Sequence, residues 1–261
     1  MLTRQNIYDM VQSETGTTNR PKKTINNFIY QKGVLIMNNN FDLTGKVAVV
    51  TGASTEIGAE AAMAYAQAGA DVALLGDNTV KLNEVKAEIE KMGRRVVAVT
   101  CDVTNEANVK LAVKTVLNTF GKIDILLNNS NIALQDGLED MSDADWNRLF
   151  GGILRGVYFT SKHVIPQMKK NGYGKIINVS SANSRASDKY GRWEVSPKEM
   201  VANLTKDLAN MYSQFGITVN TIGPEKINKG AFADTVMYLS SDESKVILGK
   251  LVDESCVAAI A

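Results

Sequence analysis

At 261 residues, with 44% hydrophobic and 22% charged residues, the chain has ample apolar material for a core and an ordinary charged surface. A net charge of +1 argues against an electrostatic footprint for nucleic acid or membrane, and no apolar run nears the roughly 20 residues of a membrane span. Two cysteines (Cys101, Cys256) and one histidine (His163) leave no disulfide framework, no metal cluster and no Ser-His-Asp triad, so the composition fits a reducing, cytoplasmic compartment.

Residues 1–40 are polar, rich in Asn, Thr and Lys, and lack a consistent period. They carry no secretory h-region, and Asp9 and Glu14 do not suit a transit peptide. We expect a poorly ordered extension, or sequence upstream of a true start at Met37.

From Phe41 to the end of the chain, apolar runs alternate with amphipathic stretches. Strand 47–51 leads through T-G-A-S-T-E-I-G at 51–58 into an Ala-rich helix, 56–68. A strand, a glycine-bearing turn and a helix in that order open a dinucleotide-binding unit, whose helix N-terminus receives a pyrophosphate. Strand 71–75, helix 79–92, strand 95–101, helix 105–120 and strand 123–128 follow. The helices close at Gly69, Gly93 and Gly121. A long helix is expected over 143–170, with His163 as a partly buried helix residue. Strand 174–180, helix 197–215, strand 217–222, a short helix at 231–240 and a strand near 249–252 complete the pattern. Continuous apolar strands between amphipathic helices predict an α/β fold with a single doubly wound parallel sheet, a Rossmann-type three-layer αβα domain over 41–261.

The order of short motifs resembles the short-chain dehydrogenase/reductase family across residues 42–253. The pieces are T-G-A-S-T-E-I-G at 51, C-D-V at 101, N-N-S-N at 128, N-V-S-S at 178 and Lys198. G-I-T-V-N at 216, G-P-E at 223 and Y-L-S-S-D-E-S at 238 complete them. The wording of 41–51 is most similar to polyol- and gluconate-type members. The resemblance implies an NAD- or NADP-dependent oxidoreductase that moves hydride to or from a small alcohol or carbonyl substrate.

By that resemblance the cofactor-binding positions are Gly52, Ser54, Ile57, Gly58, Asp77, Asp102, Val103, Asn129 and Lys198. Gly52 and Gly58 serve the tight turn and the close helix packing, while Glu56 replaces the middle glycine that lets backbone approach phosphate. A carboxylate about 5 Å from a phosphate charge costs roughly 3 kcal/mol at an effective dielectric near 20. An acid in the first turn also stabilises the helix N-terminus, so Glu56 takes the anion's place in one reading and tolerates it in the other. At the end of the second strand Gly76 stands where NAD users carry an acid. Asp77 occupies the place of the NADP-supporting arginine and would repel a 2′-phosphate, favouring NAD if any cofactor binds. As a bland alternative, Asp77 is a solvated helix-start residue. Asn131 ends a loop altered from the family's N-N-A-G.

The catalytic positions implied are Ser181, Lys198 and, where the family has its acid/base tyrosine, Glu194. A carboxylate beside a lysine stays ionised and has no proton to donate. Tyr190 lies four residues too early to substitute. Ser196-Pro197-Lys198-Glu199 reads as an N-cap, a first-turn proline and a capping-box acid, which starts the helix at Pro197 and leaves Glu194 outside it. Ile153 occupies the relay-asparagine position and reads as helix packing. Glu225 follows Pro224 where glycine is usual, and the substrate lid is shortened. Either the chain is an NAD-linked alcohol or polyol dehydrogenase, or it is a non-catalytic member retained for assembly, or it is a damaged gene product. As a homo-oligomer or beside an active paralogue, it would pair through helices 143–170 and 197–215.

Overall fold

The computed structural model describes residues 24–25, 28–31, 34–37, 41–129, 142–144, 147, 151–180, 195–223 and 229–252, with backbone alone at 24–37, 195–198 and 229. In the N-terminal stretch, β1 (Thr24–Ile25), β2 (Phe28–Gln31) and β3 (Val34–Met37) pair antiparallel as a small separate sheet. Strand formers such as Val34 and Ile36 are diluted in the polar average of residues 1–40.

The main body alternates β4 (Val47–Val50), α1 (Glu56–Gln67), β5 (Asp71–Gly76), α2 (Thr79–Lys91), β6 (Val96–Thr100), α3 (Glu106–Phe120) and β7 (Ile125–Asn128). It continues with α4 (Gly156–Asn171), β8 (Gly174–Val179), α5 (Val195–Tyr212), β9 (Ile217–Ile222), α6 (Lys229–Ser240) and β10 (Leu251–Val252). The seven strands form one parallel sheet in the order β10-β9-β8-β7-β4-β5-β6.

Strand periodicity explains why apolar runs are continuous. In β4, Ala48 and Val50 join one core with Tyr65, Leu82 and Phe232, while Val47 and Val49 join another with Val113, Val164 and Ala209. Alternate side chains thus serve opposite faces, and helices cover both. The chain winds outward through β5 and β6, then returns to β7 on the other side of β4. The strand order reverses between β4 and β7, and a crevice at their carboxyl ends is where such sheets take ligands.

Two expected elements differ. The helix expected over 143–170 is interrupted by a π-helical turn, Gly151–Arg155, before α4 begins. The Gly151-Gly152 pair weakens the regular ladder there. The helix expected from Pro197 begins instead at Val195 and gives way after Tyr212 to a 3₁₀ turn, Ser213–Phe215. Pro197 is accommodated in the first turn, where its missing N–H has no intrahelical acceptor to serve, so Ser196 is helical rather than a cap.

At the amino end of the sheet Lys175 is buried, with its Nζ 3.3 Å from Ser244 Oγ. Burial lowers its pKa to about 8, aided by Lys46 and opposed by Asp242 and Glu243. The charged lysine is therefore a cost to the folded state that fades as pH rises through about 8. Burial raises the phenols of Tyr65 and Tyr173, so above pH 10 the unfolded chain alone releases those protons and stability falls. Urea midpoints should rise between about pH 7.5 and 9.5 by the equivalent of roughly 2 kcal/mol, then drop beyond pH 10. Lys175→Met should flatten the rise; an unchanged slope would refute it.

Candidate cofactor and active site

The turn after β4 is built on two strands. Thr51 N donates to Leu127 O (2.9 Å), and Asn129 N donates back to Thr51 Oγ1 (3.0 Å). Gly52 has φ +60°, and a Cβ there would lie 2.0 Å from Asn129 O. A Cβ on Gly58 would lie 2.2 Å from Gly52 O. Both glycines are thus demanded by backbone against backbone, independently of any ligand.

Thr55 is the N-cap of α1: its Oγ1 accepts from Gly58 N (3.2 Å) and from Asn129 Nδ2 (3.0 Å), and donates to Gly52 O (2.8 Å). Glu56 is exposed in the first turn. The helix is therefore capped by Thr55, and Glu56 contributes its charge beside the N-terminus. Thr55 went unassigned in the sequence reading, although a Thr just before a helical run is an N-cap signal. Thr55→Ala should lower stability by about 1 kcal/mol in thermal unfolding, and no loss would deny the cap its role.

At the ribose end, Ser54 Oγ donates to Asp77 Oδ1 at 2.9 Å, joining the turn to the end of β5. Asn78, not Asp77, caps α2 through Lys81 N (3.1 Å). Asp77 is exposed and immediately precedes the cap. Gly76 has a reason of its own, since a Cβ there would meet Ser54 Oγ at 2.9 Å. Asp102 is exposed and folds an Asx turn, accepting from Thr104 N (2.8 Å) and Thr104 Oγ1 (2.7 Å). Ile57 and Val103 are half-buried against the two cores. Asn129 is 3% exposed and spends its side chain on Thr55.

The structure therefore brings Gly52, Ser54, Ile57, Gly58, Asp77 and Asn129 together around one turn, with Asp102 and Val103 just past β6, the strand that pairs with β5. Glu56, Asp77 and Asp102 make this end of the domain acidic. Among the described residues no group of His, Cys, Asp and Glu could hold a metal ion, and no helix is long and apolar enough to cross a membrane.

Ser181, Tyr190, Glu194, Asn131 and Glu225 lie outside the described residues, and Lys198 is placed by its backbone alone, in the first turn of α5. Ile153 sits in the π-helical turn, 5% exposed, packed with Val157 and Val201 and against Leu204. Its partners in that cluster are all apolar. His163 is half-buried; its Nε2 is 3.1 Å from Glu106 Oε1, which Lys162 Nζ also engages at 2.6 Å, and this ties α4 to α3.

Beneath the crevice runs a buried polar belt. The Thr160 hydroxyl lies 2.7 Å from both Asn128 Oδ1 and Gly156 O. Asn128 Nδ2 donates to Asn178 Oδ1 (2.9 Å), and Asn178 Nδ2 donates to Thr205 Oγ1 (2.8 Å). Thr221 Oγ1 donates to Thr205 Oγ1 (2.7 Å). The belt links α4, β7, β8, α5 and β9. Sequence reasoning quoted Asn128 and Asn178 inside motifs without assigning them, and it missed the threonines.

A family model described as short chain dehydrogenase matches residues 46–237. The chain is 33% identical over 187 residues to 2-dehydro-3-deoxy-D-gluconate 5-dehydrogenase of Dickeya dadantii, covering 71% of this chain and 73% of that protein. It is 34% identical over 184 residues to gluconate 5-dehydrogenase of Gluconobacter oxydans, covering 70% and 72%. A crystal structure of a putative short-chain alcohol dehydrogenase from Sinorhizobium meliloti superposes with a TM-score of 0.78 at 27% identity, over 85% of this chain and all of that one.

Proposed function

The chain belongs to the short-chain dehydrogenase family, and from that membership we propose an NAD-type oxidoreductase of the polyol or sugar-acid kind, cytoplasmic, whose chemistry is impaired. The observation that carries the impairment is the apolar setting of Ile153, which leaves a proton relay no polar group at that position. Glu194 at the tyrosine position adds to it, because an ionised carboxylate beside Lys198 would have no proton for a carbonyl. Ser181 and Lys198 remain as the substrate-oxygen and cofactor-ribose partners. Asp77, which does not cap α2, favours NAD over NADP by repelling a 2′-phosphate.

Calorimetric titration with NAD, NADH and NADPH tests the cofactor reading, with gluconate, 2-dehydro-3-deoxy-D-gluconate and a polyol panel testing turnover. We expect NADH to bind weakly, NADPH more weakly still, and no turnover. Tight NADPH binding would overturn the preference, and turnover abolished by Ser181→Ala would overturn the impairment. Turnover should return only when Ile153→Asn and Glu194→Tyr are combined with Glu56→Gly.

The second reading is a non-catalytic member that assembles with copies of itself or with an active paralogue. A groove of about 470 Å³ between α4 and α5 favours it, lined by Tyr158, Lys162, Ile165, Leu208 and Tyr212. Ser161, also in the lining, carries a buried hydroxyl with no hydrogen-bond partner among the described residues, and Tyr158 and Met211 are exposed nearby. A strictly monomeric mass in light scattering, alone and mixed with the paralogue, would rule this out.

A further inference from the structure

The buried belt crosses the elements that carry the candidate site, yet its threonines are not site positions. Thr205 is 1% exposed, and Asn178 and Thr221 are both fully buried. The Thr205 hydroxyl accepts two hydrogen bonds there, from the carboxyl end of β8 and from β9. Lys198 stands seven residues earlier on the same helix. Seven residues are two turns to within about 20°, so both share one face of α5. Apolar helix packing tolerates sliding, whereas a fully satisfied buried hydrogen-bond pair fixes one register.

We propose that Thr205 is a positioning residue: by holding α5 to the ends of β8 and β9 through Asn178 and Thr221, it fixes the register of α5 and with it the backbone position of Lys198 in that helix's first turn. The inference rests on the cofactor-site reading above and adds the residue through which that site keeps its geometry. Thr160 does the corresponding work for α4, one helical turn past the π-helical turn that carries Ile153. The frame of the site is thereby independent of the side chains that would react in it, and it persists where those have changed.

The test compares the full-length protein with Thr205→Val, which keeps the shape but loses the acceptor, and with Thr205→Ser, which keeps the acceptor. Two quantities are read: NADH affinity by calorimetry, and amide hydrogen exchange resolved by segment. In Thr205→Val we expect NADH to bind at least tenfold more weakly and the amides of 199–204 to exchange at least tenfold faster. Amides of β4 and β5 should stay within twofold, and Thr205→Ser should restore both readouts. The proposal is overturned if Thr205→Val changes neither readout beyond twofold. It is equally overturned if exchange accelerates uniformly along the chain or if Thr205→Ser behaves like the valine variant. Should the unaltered protein fail to bind NADH, the cofactor reading fails, and the exchange pattern alone decides the positioning role.

Discussion

Gly58→Ala should destabilise the protein by more than about 3 kcal/mol, the far end of what overpacking does. The new methyl would lie 2.2 Å from Gly52 O, 2.8 Å from Gly52 C and 2.9 Å from Asn129 Nδ2. Two of those atoms are backbone, and the backbone has nowhere to go. Gly52 is held at φ +60° with its own flank against Asn129 O, and Asn129 hangs from Thr51 and Thr55. Relief would need β4 and β7 to separate. Gly93→Ala is the fitting control: its φ is +74°, but nothing lies within 4 Å of a Cβ there. It should cost only the roughly 1–2 kcal/mol of a left-handed alanine. Chemical denaturation of both variants decides the matter. Gly58 lies in α1 with no positive φ, so a loss no larger than that of Gly93→Ala would mean that the close approach is relieved by local adjustment and does not make Gly58 necessary.

Glu56→Gly should tighten NADH binding about a hundredfold, the equivalent of roughly 3 kcal/mol from removing a carboxylate near phosphate. The same change should lower stability by about 1 kcal/mol, since the first turn of α1 loses a favourable charge and gains a glycine. Affinity and stability therefore move in opposite directions, which a general improvement in folding would not produce. Glu56→Gln separates the causes. If charge is the obstacle, the glutamine variant recovers most of the affinity; if bulk is, only glycine does. Either way no turnover should appear, because Ile153 and Glu194 are untouched. Tight binding by the unaltered protein would show that the crevice already neutralises Glu56.

The strands were legible because their apolar runs were short and bounded, and β4 shows why the runs were continuous: its alternate residues serve two separate cores. Glycines marked the turn for the same reason they are needed, namely that no other residue fits. What escaped the sequence was contact between distant positions. Asn128 and Asn178 lie 50 positions apart, and nothing local to either announces the other. Likewise, nothing near Asp77 announces that Ser54, 23 positions earlier, is its hydrogen-bond partner. Pro197 misled by its strength as a start signal, since the first turn accepts proline at more than one position. The π-helical turn was hidden in an apolar stretch that reads as ordinary helix.

The turn at 51–58 also carries a consequence for the order of events during synthesis. Its floor is supplied by Asn129, 78 positions downstream of Thr51, and two complete βα units lie between them. When β4, β5 and β6 have left the ribosome, their mutual pairing is available, but the hydrogen bonds that set Gly52 and Thr55 are not. The loop-closure entropy of that long connection is spent before the turn is rewarded. A fragment ending at Lys122 would therefore leave the amide of Thr51, whose acceptor is Leu127 O, open to exchange, and one reaching past Asn129 would protect it. The nucleotide end, first in the sequence, is completed only when the middle of the chain arrives.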